Sequence, residues 1–498
     1  LTESNLRELV TEYHRDAQKR KDVPTYQLAR DIYKKYLDVF TETESAYQMR
    51  FFYGEVLWAL KEWRGAADVY DAVAHIKPPA GVKENYTRTA AFDAILAWEK
   101  IVAEGEKGSL AGTEKIDEKK SKGGVDRTVT KLKVADLDAS KTYTEQTIPE
   151  NKLKLSAACD LYFSIADPKD EDLPAIKFKA AFIYYEANHF VEAAKRYAEV
   201  IERWPGGELS HKAANLVLDS LNVQQQWEAL EKYARGFKSN KALIGGDKKF
   251  SDELQGLIEG SAFKSILVAG DRARKLGGDE QETALSAVAT RFRGFQKEFA
   301  DSTYSDKAVY NSLIIYQKAD ELDNAIEMAE LLIDKYKKSD LVEPSTFLLA
   351  SFNEQTSNFQ TAADQYLKYY DTYKDPKDIK EKAKQDAVKK KAADALYNAG
   401  VYYQGMQDSK SAISAFEKYT TEYADRSDAT DVAWRICEIQ ESDKKWKETI
   451  DCFNKFRDKY KKASQAKIFE SRYRIALALE ELKQHPQAVT EYKWLRDN

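Results

Sequence analysis

Cysteine and histidine are the side chains best suited to redox, nucleophilic or metal chemistry, and both are rare in this sequence. Its 498 residues include three cysteines and five histidines. Two histidines that bind one metal from a single helix stand three or four positions apart. No pair among the five has that spacing: they are His14, His75, His189, His211 and His485. We therefore expect no metal site.

Motifs that mark nucleotide or acyl chemistry are also missing. The sequence has no C-x-x-C, no phosphate-binding G-x-x-x-x-G-K-S/T and no nucleophile elbow G-x-S-x-G. Its four Gly-Gly pairs, which begin at 123, 206, 245 and 277, are each followed within two residues by an acid. A carboxylate there would repel phosphate, so we interpret the pairs as loop breakers. We predict no catalytic residue and no cofactor, and we expect a protein that is not an enzyme.

Composition and charge exclude further classes of protein. Hydrophobic residues make up 43% and charged residues 32%, with only 21 Gly and 10 Pro, which favours helix. The formal net charge of −5 argues against nucleic-acid binding, which needs a basic face. No apolar run approaches the roughly 18 residues of a membrane span. Because the first residue is Leu1, we expect a processed product, with any signal peptide or lipid anchor upstream.

One spacing of small and bulky residues recurs along the chain. A small residue, here called the anchor, is followed four and seven positions later by bulky residues on the same helix face, as in Ala66, Tyr70 and Val73. Successive anchors are 37, 92, 35, 37, 58, 37, 37, 50, 37 and 39 residues apart, so a unit of about 37 residues is repeated with three insertions. The anchors, some of them weaker copies, are Ala29, Ala66, Ala158, Ala193, Leu230, Val288, Ala325, Ala362, Ala412, Thr449 and Ala488.

Each repeat is predicted to be a helix, a tight turn and a second helix. Twelve residues before several anchors stands another small residue, such as Gly54, Ala181 or Gly400, and a short polar turn lies between the two. Small residues at both positions allow the paired helices to approach closely. A helix pair this short buries only one face alone, so neighbouring pairs must stack.

The repeat resembles the tetratricopeptide repeat. The residues that carry the resemblance are Gly54, Leu57, Trp63, Ala66, Tyr70 and Pro78, and again Ala181, Tyr184, Phe190, Ala193, Tyr197, Val200 and Pro205. The resemblance implies an all-α, right-handed α-solenoid of about ten to eleven helix pairs. The longer period, with polar linkers at 299–308 and 423–433, is similar to that of tetratricopeptide lipoproteins and periplasmic adaptors of the bacterial envelope.

The insertions define the predicted organisation. We predict N-terminal repeats in 1–103, an insertion inside a helix pair at 104–149, repeats in 150–240, and C-terminal repeats in 241–498 with a lengthened helix near 250–276 and a Lys-rich insertion near 374–391. The first insertion is interpreted as a surface loop, the alternative being a docking arm, with a faint extended pattern at Val129, Leu132 and Val134. The Lys-rich segment is interpreted as a solvated helix face, the alternative being a basic docking spot.

An aromatic side chain stands fifteen residues before seven of the eleven anchors, on a first helix that could line a binding surface. These partner-binding candidates are Phe51, Phe178, Tyr310, Phe347, Tyr397, Trp434 and Tyr473. Phe182 and Tyr185 extend the face of Phe178 at i+4 and i+7. We favour packing of the aromatic residue against the second helix of the preceding repeat. The alternative is a row of aromatic rings that contacts a bound peptide.

Two cysteines are predicted to be neighbours. Cys437 and Cys452 lie at nearly equal distances from the turn 442–445, so an antiparallel helix pair places them at the same height. A disulfide needs Cα atoms about 4.4–6.8 Å apart, whereas helix axes pack about 8–10 Å apart. The alternatives are therefore a disulfide, which would indicate an oxidising compartment, and two buried free thiols. Cys159 is left without a partner and is expected to be buried.

The resemblance also implies protein or peptide partners. Family members that bind the acidic C-termini of heat-shock proteins use Lys where this chain has its aromatic residue, and Asn four residues later. Those later positions here are Glu55, Phe182, Ile314, Ser351, Val401, Glu438 and Leu477. We therefore expect no carboxylate clamp.

Two functions remain open. The first is a scaffold that organises a multiprotein assembly of the bacterial cell envelope, in the periplasm or at the outer membrane. The alternative is a cytoplasmic regulator, or the repeat region of a larger protein with catalytic parts elsewhere.

Overall fold

The computed structural model describes residues 2–80, 85–105, 141–377, 379–461 and 463–498, together with four short strands between 113 and 132. The chain divides into two compact parts, here called the N-terminal half (Leu1–Ala262) and the C-terminal half (Phe263–Asn498). The division falls inside one helix.

The helices of the N-terminal half are α1 (Glu3–Arg20), α2 (Val23–Val39), α3 (Ala46–Ala59), α4 (Trp63–His75), α5 (Thr87–Gly105), α6 (Glu150–Ile165), α7 (Leu173–Glu186), α8 (Phe190–Arg203), α9 (Glu208–Val223), α10 (Trp227–Ser239) and α11 (Lys241–Ile244). Helix α12 (Lys248–Ala273) contains the dividing point. The helices of the C-terminal half are α13 (Gly278–Glu298), α14 (Ser305–Lys318), α15 (Leu322–Lys335), α16 (Val342–Gln355), α17 (Phe359–Tyr373), α18 (Lys382–Gly405), α19 (Ser409–Glu422), α20 (Ala429–Ser442), α21 (Trp446–Lys459), α22 (Gln465–Glu481) and α23 (His485–Asp497).

Consecutive helices pack as hairpins within each half. In the described residues these are α1–α2, α3–α4, α5–α6, α7–α8 and α9–α10, followed by α14–α15, α16–α17, α18–α19, α20–α21 and α22–α23. Phe263 of α12 packs on Phe292 of α13, with ring centroids 5.5 Å apart, which gives an eleventh pair. The predicted all-α fold of stacked helix pairs is confirmed. In each hairpin the earlier helix is called the first helix and the later one the second helix.

The anchors explain why the helices pair. All eleven lie on second helices, and none exposes more than 4% of its surface. Five residues before eight of the anchors, the turn holds a non-glycine residue with φ between 55° and 64°. A hydrogen bond closes such a turn, as where the Glu62 N–H donates to the Leu57 carbonyl at 2.9 Å. The eight residues are Lys61, Asn188, Gln225, Asp320, Ser357, Gln407, Lys444 and Lys483.

Tyrosine fills many of the hairpins, which accounts for its abundance of 30 residues. The rings of Tyr70, Tyr366 and Tyr419 are buried. Each hydroxyl reaches a carboxylate at the polar rim, where it donates a hydrogen bond: Tyr70 to Glu55 at 2.6 Å, Tyr366 to Glu354 at 2.7 Å and Tyr419 to Asp428 at 2.9 Å. Tyrosine suits this position, because its apolar ring lies in the core while its hydroxyl reaches the polar rim.

The first insertion lies between α5 and α6, the two helices of one hairpin. It contains strands β1 (Thr113–Lys115), β2 (Lys119–Lys120), β3 (Asp126–Arg127) and β4 (Thr130–Leu132). Antiparallel pairing joins β1 to β4 and β2 to β3. Leu132 therefore belongs to a strand, whereas Val129 and Val134 lie outside the described residues.

Two helices are unusually long. Helix α12 has 26 residues, where the sequence predicts a lengthened helix. Helix α18 has 24 residues and begins inside the Lys-rich segment, where Lys382, Lys384 and Lys390 are exposed to solvent. These exposed lysines fit a solvated helix face. Among the helices described, none is both long and apolar enough to cross a membrane.

Candidate protein-binding surface

Six of the seven candidate aromatic residues pack inside their own hairpins. In these hairpins each ring lies against the ring four residues after the anchor, with centroid distances of 6.0, 5.0, 5.5, 6.1, 4.9 and 6.3 Å for Phe51–Tyr70, Phe178–Tyr197, Phe347–Tyr366, Tyr397–Phe416, Trp434–Phe453 and Tyr473–Tyr492. The ring partner is in the second helix of the same repeat. The two positions meet because they are nearly equidistant from the hairpin turn, and packing of the aromatic residue against the second helix of the preceding repeat stays a prediction.

Burial separates the seven candidates. Phe51, Phe178 and Trp434 are buried, and so are Phe182 and Tyr185. The half-buried candidates are Tyr310, Phe347 and Tyr397. Tyr473 exposes 46% of its surface. Packing therefore accounts for the buried residues, and partner binding by the candidates stays a prediction.

The end of the first insertion is fixed to the turn between α7 and α8. The Gln146 N–H donates to the Ala187 carbonyl at 2.9 Å, and the His189 ring donates to the Gln146 carbonyl at 2.8 Å. The Asn188 side chain donates to the Thr144 carbonyl at 2.8 Å. The ring of His189 is therefore held by the chain itself, as expected for a turn residue.

Buried lysines join neighbouring hairpins, which the sequence analysis did not predict. Lys179 on α7 exposes only 2% of its surface and pairs with Glu99 on α5. Lys177, also buried, lies 3.3 Å from an Asp160 oxygen and 2.8 Å from a Glu199 oxygen. A buried charge is tolerated only when it is paired. These charges therefore favour one alignment of adjacent hairpins.

In the C-terminal half, cations from one first helix cover aromatic rings of the preceding first helix. Three successive hairpins share this arrangement, here called the cation ladder: Lys391 Nζ is 5.9 Å from the Phe347 centroid, Arg435 Cζ is 5.8 Å from that of Tyr397, and Lys467 Nζ is 5.9 Å from that of Trp434. These distances lie within the roughly 6 Å reach of a cation–π interaction.

Carboxylates accompany the cation ladder. Lys391 Nζ is 3.3 Å from a Glu343 oxygen, and Lys467 pairs with Asp431. Glu343 and Asp431 stand four and three residues before the rings that the two lysines cover. In these two cases a lysine of the next first helix therefore contacts both the ring and the nearby carboxylate of the preceding first helix.

Two of the three cysteines form a disulfide, and the third is a buried thiol. Cys437 and Cys452 form a disulfide, with Cα atoms 5.4 Å apart, so the disulfide alternative holds in this structure. Cys159 is free and buried. Burial raises the pKa of its thiol to about 12, so the nucleophilic thiolate is disfavoured.

A surface cleft of about 340 Å³ lies where α4 begins and α5 ends. It is lined by Lys61, Glu62, Trp63, Arg64, Gly65, Ile101 and Glu104. The Trp63 indole N–H donates to Glu104 at 2.6 Å, and Arg30 donates to Glu62 at 2.6 Å. Its polar groups thus join neighbouring helices. Within the described ranges, no group of three or more His, Cys, Asp or Glu residues is placed to bind a metal ion.

The comparisons with known proteins identify the repeat. A chain of the solved structure entitled "Crystal structure of APC/C hetero-tetramer Cut9-Hcn1" aligns with 100% of this chain and 94% of its own, at 12% identity and a TM-score of 0.21, which is too low to support a structural argument. No curated protein matches the sequence. Two family models described as tetratricopeptide repeat match residues 25–81, which include α3 and α4, and residues 394–426, which include α19. The chain contains tetratricopeptide repeats in these two segments.

Proposed function

We propose that the chain is a non-catalytic scaffold that organises a multiprotein assembly of the bacterial cell envelope. The proposed scaffold role rests on the two matches to tetratricopeptide repeats, at residues 25–81 and 394–426. Such repeats imply protein partners, and stacked helix pairs offer an extended surface for them.

The disulfide supports the envelope location. Cys437 and Cys452 are bonded across one hairpin. Disulfides persist in oxidising compartments such as the periplasm and are rare in a reducing cytosol. The linkers at 299–308 and 423–433, similar to those of envelope adaptors, point the same way.

The placement of reactive groups supports a non-catalytic role. The Cys159 thiol is buried with a raised pKa, and His14 is buried beside the Tyr33 hydroxyl, 3.1 Å from Nδ1. The ring nitrogen of His189 is engaged by a backbone carbonyl. These side chains act in packing and turns, and none of the three is poised for proton or group transfer.

Affinity capture with chemical crosslinking and mass spectrometry tests this function. The tagged chain is expressed in its source cells and recovered separately from envelope and cytosolic fractions. We expect the chain in the envelope fraction, crosslinked to other envelope proteins. Recovery from the cytosol with cytosolic partners would favour the regulator instead, and recovery from the envelope without crosslinked partners would contradict the scaffold.

A further inference from the structure

The two cysteines of the disulfide differ in their access to solvent. Cys437, on first helix α20, is fully buried, whereas Cys452, on second helix α21, is half-buried. Beside Cys452 on α21, Asp451 and Lys455 form an ion pair at 2.6 Å, and their side chains are 64% and 76% exposed. Solvent therefore reaches the part of α21 that carries Cys452, and a reagent in solution meets this cysteine first.

Apolar side chains from three helices enclose Cys437. It belongs to a buried cluster that contains Trp434 of its own helix, Phe453 of α21 and Ile475 of α22. A reagent in solution therefore reaches Cys437 Sγ only when the hairpin opens.

Thiol–disulfide exchange requires one accessible sulfur. The attacking thiolate approaches that sulfur along the S–S axis, bonds to it and displaces the other sulfur as a thiolate. Of the two cysteines in this hairpin, the half-buried Cys452 offers that approach. The apolar surroundings of Cys437 disfavour its thiolate, so a step in which Cys437 is the nucleophile should be the slower one.

We propose that the reduced hairpin reacts with an external disulfide at Cys452 and that Cys437 then completes the bond. The Cys452 thiolate attacks one sulfur of the external disulfide, whose S–S bond breaks and releases one thiol. The Cys437 thiol then loses its proton and attacks Cys452 Sγ, which forms the bond of the hairpin and releases the second thiol. Two thiols of the chain are oxidised, and the external disulfide is reduced to two thiols. The hairpin can therefore acquire its bond without unfolding.

Cys159 supplies an internal comparison. It lies on α6 and exposes only 1% of its surface. Burial raises the pKa of its thiol to about 12, so the thiolate needed for exchange is disfavoured. While the chain is folded, Cys159 should give the background rate for a buried thiol.

Glutathione disulfide tests the proposal on two matched variants, Cys437→Ser and Cys452→Ser. Both lack the hairpin bond and keep Cys159, and thermal melting checks that both are folded. Samples are quenched with acid, and intact mass follows the addition of a glutathionyl group. We expect Cys437→Ser to react at least about tenfold faster than Cys452→Ser, because its remaining hairpin thiol is accessible. In denaturant, which exposes both thiols, the two variants should react at similar rates.

The unsubstituted chain gives a second test. It is reduced, separated from the reductant while folded, mixed with glutathione disulfide and quenched with acid at intervals. Peptide mapping then locates the glutathionyl group. We expect it first on Cys452, and we expect it to disappear as the bond to Cys437 forms.

Three outcomes would overturn the proposal. They are equal rates for the two folded variants, faster modification of Cys437 than of Cys452, and modification of either cysteine only in denaturant. None of these outcomes affects the capture of partners by crosslinking, so the exchange site and the scaffold function are tested separately.

Discussion

Gly400 on α18 lies so close to the ring of Phe416 on α19 that a Cβ built on the glycine would be 2.5 Å from Phe416 Cε1. Gly54 and Tyr70 have the same relationship at 2.6 Å. In both hairpins the glycine is twelve residues before the anchor and the ring is four residues after it. The missing side chain therefore makes room for the aromatic ring.

Gly400→Ala should destabilise the protein by about 1–3 kcal/mol, because the added methyl group overpacks the hairpin. Gly405→Ala, in the same helix, meets nothing within 4 Å and should be neutral or stabilise by up to about 1 kcal/mol. Chemical denaturation of the two variants gives both values. Equal stability of Gly400→Ala and Gly405→Ala would show that the ring moves aside without cost.

Phe178→Ala should destabilise the protein by about 3–5 kcal/mol, because the ring is buried against Tyr197. Tyr473→Ala removes a ring at the same repeat position that is 46% exposed, so it should cost much less. Both variants are compared by thermal melting. A small effect of Phe178→Ala together with loss of partner binding would favour the peptide-contacting row of aromatic rings.

Reduction of the disulfide should lower the free energy of unfolding by about 3 kcal/mol, the value expected for a loop of 15 residues. Cys452→Ser should have a similar effect under oxidising conditions and should remove the response to reductant. Thiol counting on unfolded, unreduced protein should give one free thiol, that of Cys159. A count of three would show that the disulfide is absent and would remove this support for an envelope location.

Acidification should destabilise the protein through His14. Burial lowers the pKa of its ring to about 4, whereas the unfolded chain titrates near 6.5. The free energy of unfolding is therefore unaffected by His14 above about pH 6.5. It falls by at most about 3 kcal/mol as the pH is lowered from 6.5 through 4, because the unfolded chain takes up the proton first. Carboxylates titrate in the same range, so the comparison is with His14→Gln, which should flatten this part of the profile. Parallel profiles for both proteins would contradict the assignment.

The hairpins could be predicted because each depends on local spacing. A small anchor, a small residue twelve positions earlier and bulky residues on one face recur at Ala66 and Ala412 alike. The partner of the aromatic residue could have been found by the same reasoning that joined Cys437 to Cys452, namely equal distance from the turn. Periodicity predicted that Phe178 lies on a buried face of its helix, but it did not predict which helix packs against that face.

The contacts between hairpins could not be predicted, because they join residues that are distant in sequence. Lys179 and Glu99 are 80 positions apart. A lysine in a sequence is normally interpreted as exposed, and only the fold brings a carboxylate to it. Likewise, Trp434 and Tyr473 hold the same position in their repeats, but Lys467 covers only the first ring.

Site-specific photocrosslinking tests the central claim, a protein-binding scaffold that uses its first helices. A photoreactive residue replaces Leu477, one turn after Tyr473 on α22, or Lys455 on second helix α21, whose side chain is 76% exposed. After irradiation of source cells, we expect adducts with another protein from position 477 and far fewer from position 455. No adduct from either position, or adducts from position 455 alone, would contradict the account.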